Sequence, residues 1–297
     1  MAASQNVQNF QNIDELEVLL LSIAKQSPTY QKIALYIEKH YLEIIFMTAN
    51  ELAEAMGVSQ GSVSRFFMML GYRGYNEFLR NLQQVVSKQL TGPQRLGYTR
   101  SSADARKSSD SAVRRVLDSE IANLDGLEAA LQGPAYEAMV AAVASPKQLI
   151  LLSARMSATL LPYAAYLLSK MREDVYTFEP GMAKWNTLEL VPPDSANIIA
   201  IAFPRYPNAL IEKCRQLKRL GLPITALTDS TLSPIVACAD HAVCVPVTTA
   251  SIFDVYSAPL TFLNLMLRDA AARMPGLAER MERLEDIERR DKIYFQS

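Results

Sequence analysis

The sequence has little of several residues on which protein chemistry often depends. Only three of its 297 residues are cysteines, and none form a C-x-x-C pair. This argues against both a disulfide framework and a zinc ribbon, and it fits a reduced cytoplasm. Only two residues are histidines, which leaves few candidates for a general base. The formal net charge is −1, so nucleic-acid binding cannot be inferred from the total charge.

Long apolar runs and targeting signals are also missing. The most apolar window, 149–168, contains Arg155 and Pro162 and is better divided into a strand and a helix than threaded through a membrane. The amino terminus is polar, without the basic start and apolar core of an export signal. His241 and Cys244 fall at an odd spacing in a predicted strand and would point to opposite faces, which disfavours a metal site. We therefore expect a cytoplasmic protein with no membrane partner, metal or cofactor.

The most specific stretch that is present runs over 48–79 and predicts two short helices joined by a tight turn, followed by a third. Thr48 and Glu51 have the spacing of a capping box, which opens a helix. Gly57 ends that helix, and Ser59 can cap the next. Two helices joined by a short turn with a glycine form the frame of a helix-turn-helix, although an ordinary helical hairpin has the same spacing.

The second helix of this frame has an apolar and a polar side. Its apolar residues recur at i, i+3, i+4 and i+7 and face inward: Val63, Phe66, Phe67 and Leu70. Small polar side chains and one arginine are left on the outer side, where they can approach base edges and phosphates. The predicted DNA-binding residues are Ser59, Gln60, Ser62, Ser64 and Arg65, with Arg73 and Tyr75 at the following turn for the backbone of double-stranded DNA. Arg65 could instead pair with Glu54.

The distribution of charge along the chain also favours the second helix of this pair as the one that contacts DNA. Residues 13–58 contain seven acids and three lysines, a balance of −4, whereas 59–95 contain five bases and one acid, a balance of +4. The basic part therefore includes the predicted recognition helix, where phosphate contacts are needed. A solvated helix face would look similar.

A change of composition divides the chain into domains. Residues 91–111 are rich in Gly, Pro, Ser and charge and predict a linker. It separates a helical domain, 1–90, from a second domain, 112–297. In the second, apolar strands alternate with helices, which predicts a doubly wound α/β domain with a parallel five-stranded sheet. The predicted strands are 148–152, 175–178, 197–203, 224–227 and 242–247, and the predicted helices between and after them are 156–171, 182–191, 208–220, 232–238, 254–274 and 277–291.

Both domains resemble parts of known families. The first resembles the helix-turn-helix of the RpiR family of bacterial transcription regulators, through Thr48-x-x-Glu51-Leu52-Ala53, Gly57-Val58-Ser59, Ser62-Val63-x-Arg65-Phe66 and Leu70-Gly71-Tyr72-x-Gly74-Tyr75. The second resembles a sugar isomerase (SIS) domain in its order of elements, in the stretch GLPITALT at 221–228, and in Ser233-Pro234 followed by Ala239-Asp240. The resemblance implies a regulator that senses a phosphorylated sugar or related metabolite and works as a homodimer or homotetramer.

The departures from the SIS pattern fall on the expected ligand loops. Where SIS domains carry G-x-G-x-S after the first strand, this chain has Ser153-Ala154-Arg155-Met156-Ser157, and where they carry S-x-S-G-x-T after the third, it has Ala202-Phe203-Pro204-Arg205-Tyr206-Pro207. Arginines at strand-to-helix turns can hold a phosphate or carboxylate. The predicted effector-binding residues are therefore Ser153, Arg155, Ser157, Arg205, Tyr206 and Thr228, for a small anionic effector. Alternatively, the arginines form ion pairs within or between chains, or the domain merely dimerises.

Two other functions compete with regulation. A sugar-phosphate isomerase would need a general base, for which the second domain offers His241, Glu179, Asp229 and Asp254. A turn or capping role is commoner for an acid in the position of Asp229, so we expect no catalytic residue. The third possibility is an adaptor that binds protein through its helical domain and keeps a degenerate SIS domain.

Overall fold

The computed structural model describes residues 10, 12–45, 47–86, 93, 95–96, 110–247 and 253–295. The chain divides into two compact units. The first comprises Met1–Ser119 with Thr248–Val255, and the second comprises Glu120–Val247 with Tyr256–Ser297. Most of the predicted linker, 91–111, lies outside the described residues.

The first unit is helical, and its helices begin at side chains that cap them. Asn12 accepts a hydrogen bond from the Glu15 backbone N–H, and Ser27 caps a helix whose first residue is Pro28. The helices are α1 (Ile13–Ala24), α2 (Pro28–Ile44), α3 (Ala49–Met56), α4 (Gln60–Met69) and α5 (Tyr75–Val86). A further helix, α6 (Asp110–Asp125), begins in the first unit and ends in the second.

The core of the first unit is built on aromatic rings. Phe66, Phe67 and Phe78 are fully buried, and the ring centroids of Phe67 and Phe78 are 4.5 Å apart. Asn81 fastens the chain that precedes α1 to this core. Its Nδ2 donates to the Phe10 carbonyl at 2.9 Å, while the Phe10 N–H donates to its Oδ1 at 3.2 Å. A pair of hydrogen bonds between an amide side chain and the backbone satisfies buried polar groups and fixes the path of the chain.

The second unit contains a parallel sheet of five strands in the order β2-β1-β3-β4-β5. The strands are β1 (Gln148–Ser153), β2 (Val175–Phe178), β3 (Ala196–Ile201), β4 (Ile224–Thr228) and β5 (His241–Cys244). Every pairing is parallel, and Ser153 at the end of β1 lies opposite Ile201 at the end of β3. The order reverses at β1 and β3, because β2 lies outside β1 whereas β4 and β5 follow β3.

Helices cover both faces of this sheet, which explains why its central strands are apolar on both sides. Alternate residues of β1 enter different clusters: Leu149 and Leu151 pack on one face, and Ile150 and Leu152 on the other. The helices of this unit after α6 are α7 (Leu127–Ala130), α8 (Pro134–Ala144), α9 (Leu160–Met171), α10 (Asn208–Arg219), α11 (Ser257–Ala271) and α12 (Leu277–Arg290). The predicted doubly wound α/β fold is confirmed.

Two of the predicted helices are wrong. Within 182–191 the chain forms turns and a 3₁₀ segment, Asn186–Leu190, of which only Leu188 is buried. A segment with one buried side chain has no apolar face to hold an α-helix, and prolines follow at once. Within 232–238 only the 3₁₀ segment Val236–Cys238 forms, after Pro234.

Arg172 closes the turn between α8 and β1. It is buried at the end of α9, and its guanidinium donates to the carbonyls of Val143 at 2.7 Å and Ser145 at 2.8 Å, and also to that of Lys147. One side chain thus satisfies three backbone acceptors of a turn that has no regular structure.

Candidate nucleic-acid interface and effector site

The predicted helix-turn-helix geometry is present in α3 and α4. The Thr48 hydroxyl accepts from the Glu51 N–H, and the Glu51 carboxylate accepts from the Thr48 N–H at 2.8 Å, which completes the capping box. Gly57 ends α3 with φ of 60°. A left-handed residue is needed to reverse the chain here, and glycine adopts that conformation without steric strain. Ser59 then caps α4 by accepting from the Ser62 N–H.

The outer side of α4 is polar and solvent-accessible, as its sequence predicts. Gln60, Ser64 and Arg65 are exposed, whereas Val63 and Phe66 on the inner side are fully buried. Arg65 forms no ion pair with any described residue, so the alternative pairing with Glu54 is not seen. Ser59 and Ser62 face each other, with 2.9 Å between their hydroxyl oxygens. Small hydroxyl and amide groups therefore line the first turns of the accessible side of this helix, and Met68 and Met69 are exposed in its last turn.

The two residues predicted at the following turn differ in their surroundings. Arg73 is almost fully solvated, and its backbone N–H donates to Glu77. Tyr75 is only 4 % exposed, and its hydroxyl donates to the carbonyls of Ile44 and Met47, each at 2.9 Å. Tyr75 therefore anchors α5 to the end of α2 and is not available to DNA, which corrects its predicted role.

The predicted effector residues lie at the carboxyl ends of β1, β3 and β4, the edge at which doubly wound domains bind ligands. Arg155 begins a 3₁₀ segment, Arg155–Thr159, directly after β1, and Arg205 lies between β3 and α10. Both are exposed and both have positive φ, 59° for Arg155 and 66° for Arg205. Arg155 corresponds to the second glycine of the G-x-G-x-S pattern, and Arg205 to the glycine of S-x-S-G-x-T. Each arginine thus has a backbone conformation that glycine adopts without strain.

The hydroxyl groups at this edge are turned inward. Ser153 and Thr228 are fully buried, and the Ser153 hydroxyl donates to the Ile201 carbonyl at 2.8 Å. The Ser157 hydroxyl accepts from the Phe203 N–H at 3.1 Å and lies 3.3 Å from the Tyr256 hydroxyl. These side chains connect the loops after β1 and β3 to one another, so the arginines, rather than the hydroxyls, are presented to solvent.

Tyr206 is held by an acid that follows β4. Its hydroxyl donates to Asp229 Oδ1 at 2.5 Å, and Asp229 is itself buried. Burial, followed by the charge of Asp229, raises the pKa of Tyr206 well above its ordinary value. Tyr206 is therefore a neutral hydrogen-bond donor at physiological pH, and it joins the loop after β3 to the end of β4.

One polar residue beside this edge has no sequence signal. Glu120 on α6 is buried, its Oε1 accepts from Asn123 at 3.2 Å, and its Oε2 has no hydrogen-bond partner. Ser257, at the start of α11 and next to Tyr256, favours the ionised carboxylate and lowers the pKa of Glu120, but this effect is smaller than that of burial. Burial raises the pKa of Glu120. Its importance depends on contacts between distant segments, which periodicity does not reveal.

Replacing Glu120 by glutamine tests whether burial raises the pKa of its carboxyl. A raised pKa means that the folded state favours the protonated carboxyl, so the stability associated with it is lost as pH rises above 4.5, the ordinary value. We expect Glu120→Gln to melt at a higher temperature relative to wild type as pH increases from 4.5 to 8, measured by thermal unfolding. Glu128→Gln, at an exposed position on α7, should show no such trend. A pH-independent difference for Glu120→Gln would contradict a raised pKa for this buried carboxyl.

Neither a metal-ligand cluster nor a membrane-spanning helix occurs among the described residues. No group of three or more His, Cys, Asp or Glu side chains is arranged there to hold a metal ion. Among the same residues no helix combines the length and the apolar character that crossing a bilayer requires.

Comparison with known proteins identifies both halves of the chain. The model of the rpiR-family helix-turn-helix domain matches residues 18–89, and that of the SIS domain matches residues 142–268. The chain pairs an RpiR-family helix-turn-helix domain with a SIS domain. Both resemblances drawn from the sequence are therefore confirmed.

Three known proteins are similar to parts or most of this chain. An uncharacterised HTH-type transcriptional regulator in the aarA 3′ region of Providencia stuartii is 37% identical over 68 residues, which are 22% of this chain and only 24% of that protein. The sugar isomerase domain of an RpiR transcription factor from Sphaerobacter thermophilus superposes with a TM-score of 0.54 at 24% identity, covering 59% of this chain and 97% of that one. The Vibrio vulnificus NanR protein complexed with ManNAc-6P gives a TM-score of 0.49 at 16% identity, with 92% and 98% covered.

Proposed function

We propose that this protein is a DNA-binding transcription regulator whose SIS domain senses a small anionic metabolite, a phosphorylated sugar or a carboxylate. In this proposal 1–90 bind DNA, 91–111 form the linker, and 112–297 bind the effector and form a homodimer or homotetramer in the cytoplasm. The observation that carries the proposal is the exposed polar side of α4. It belongs to a correctly capped second helix of an RpiR-type helix-turn-helix, the element that enters the major groove in such domains.

A gel-shift experiment with the full chain and its own promoter region tests the proposal. We expect a sequence-specific complex that weakens steeply as salt increases, because cationic side chains displace counterions from the phosphates. Binding without sequence preference, or no binding, would favour an adaptor instead.

Two variants should divide base recognition from phosphate contact. Ser64→Ala removes an exposed hydroxyl from α4, and we expect it to reduce the preference for the operator over random DNA about fivefold. Arg73→Ala should weaken binding to both DNAs equally and lower the salt dependence by about one phosphate contact. Arg219→Ala, at an exposed position on α10, is the matched control and should change neither quantity. Equal losses from Ser64→Ala and Arg73→Ala on both DNAs would refute this division.

The anionic class of the effector rests on Arg155 and Arg205. Both are solvent-accessible at the carboxyl ends of adjacent strands, where the strand order reverses and ligands bind in this fold class. The following helix, α10, begins after Pro207 without a side-chain cap, so its first N–H groups are open to an anion. Strained residues of this kind persist where function requires them.

Isomerase activity is the less favoured function, because three of the four candidate bases are either far from the ligand edge or already paired. His241 begins β5 opposite Thr225, near the start of β4, and so lies at the amino end of the sheet, away from the ligand edge. Asp229 accepts from Tyr206, and Asp254 forms a buried ion pair with Arg95. Detectable turnover of a sugar phosphate by the purified protein would overturn this preference.

A further inference from the structure

Helix α6 exposes a stripe of large apolar side chains. Val113, Leu117, Ile121 and Leu124 are 59%, 51%, 51% and 38% exposed. Their spacings of four, four and three residues place them on one side of an α-helix, in the manner of a coiled-coil seam. Such a stripe on a solvated helix marks a surface that another element covers.

The adjacent side of α6 is already occupied. Glu120 and Asn123 are buried, and they are followed by the buried Leu127 of α7. The part of α6 that belongs to the second unit, from Glu120 onward, is therefore packed along this side, while the apolar stripe and the flank beyond it are accessible.

The first and last charges of that accessible flank are opposite in sign, and Asp118 lies near its middle. Arg114 lies near the beginning of α6, whereas Asp118 and Asp125 follow on the same flank at helical spacing. Arg114 and Asp118 are 72% and 54% exposed and form an ion pair of 2.9 Å within the helix. In an antiparallel pair of identical helices, equivalent flanks face each other. Arg114 of one copy then lies opposite Asp125 of the other, while Leu117 lies opposite Ile121.

A parallel pair lacks this match. It would set the charged flank of one helix against the other flank of its partner, the side on which Glu120 and Asn123 are buried. The antiparallel arrangement is also the one that a two-fold axis generates, with the same surface used by both copies.

We infer that the α6 stripe is a dimer seam, covered by the α6 of a second copy of this chain in antiparallel orientation. This deepens the proposed function by naming the surface of self-association, and it rests on that proposal only for the expectation of an oligomer. A single seam of 16 residues is about 24 Å long, so dissociation should be measurable at micromolar concentrations if it acts alone.

Sedimentation velocity of the full chain over a range of concentrations tests the seam. Leu117→Glu and Ile121→Glu each place a charge in it and should raise the dimer dissociation constant at least tenfold. Leu21→Glu is the matched control, because Leu21 is 63% exposed on α1 and lies outside the stripe. A monomeric wild type at 100 µM (about the highest working concentration), or the same loss in the Leu21→Glu control, would overturn the inference.

Charge exchange tests the orientation with variants that keep the apolar seam. Arg114→Asp and Asp125→Arg should each weaken the dimer, and the double variant should restore it by recreating the pairs in reverse. Failure of the double variant to regain association would overturn the antiparallel seam. Gel-shift of the wild-type chain separates the two proposals: a wild type that is monomeric yet binds its operator refutes the seam alone, whereas a wild type that is dimeric but never binds DNA refutes the regulator alone.

Discussion

Arg205→Gly is expected to be more stable than Arg205→Ala by about 1 kcal/mol, although both variants should bind anions about 30-fold more weakly than wild type. Both substitutions remove the same guanidinium. Only glycine relieves the backbone strain at φ of 66°. Comparing the two variants therefore separates the contribution of the Arg205 charge to anion affinity from the cost of its backbone conformation to stability.

The measurement combines thermal unfolding without ligand and calorimetric titration with sugar phosphates and carboxylates. Arg155→Gly and Arg155→Ala repeat the comparison at φ of 59°. Arg219→Ala serves as the control for loss of an exposed positive charge and should bind the anion as wild type does. If a bound anion keeps its full affinity in Arg205→Gly, the arginine is not an effector residue.

Arg172→Met should lower the free energy of unfolding of the second unit by about 3 kcal/mol. Methionine fills part of the space of the arginine side chain but leaves the carbonyls of Val143, Ser145 and Lys147 without their donors. Buried acceptors without partners carry the full cost of desolvation.

Urea unfolding followed by circular dichroism measures this loss. Arg172→Lys should recover only part of it, because a single ammonium cannot reach three carbonyls in the way a planar fork does. Arg219→Met, at an exposed site, should change stability by less than about 0.5 kcal/mol. A loss below about 1 kcal/mol for Arg172→Met would show that water satisfies these carbonyls instead.

Local signals account for the parts of the fold that the sequence predicts well. The Thr48–Glu51 capping box and Gly57 act over a few residues, and the structure has them as predicted. The strands are also evident, because β3 and β4 are apolar on both faces and so appear as continuous runs. Where the chain only forms 3₁₀ turns, as around Leu188, apolar spacing is not sufficient to distinguish them from a helix.

The site depends more on long-range contacts, which explains what the sequence misses. From its position in the turn after the recognition helix, Tyr75 is predicted to be an exposed aromatic that contacts DNA. In the structure its hydroxyl instead donates to carbonyls about thirty residues earlier in the chain. Ser153 has a ligand-binding position but donates across the sheet to Ile201. Glu120 becomes notable only once α6 meets α11. These partners are distant in sequence, so residue spacing alone cannot predict the contacts.

The two outermost strands of the sheet, β2 and β5, are its shortest, with four residues each. An edge strand offers unpaired backbone groups to any passing extended chain, and short edges offer few of them. Addition of a foreign strand, and growth of the sheet into an aggregate, is thereby discouraged. The self-association proposed for α6 would then use side chains on a helix, where shape and charge select the partner, rather than a backbone that accepts any sequence.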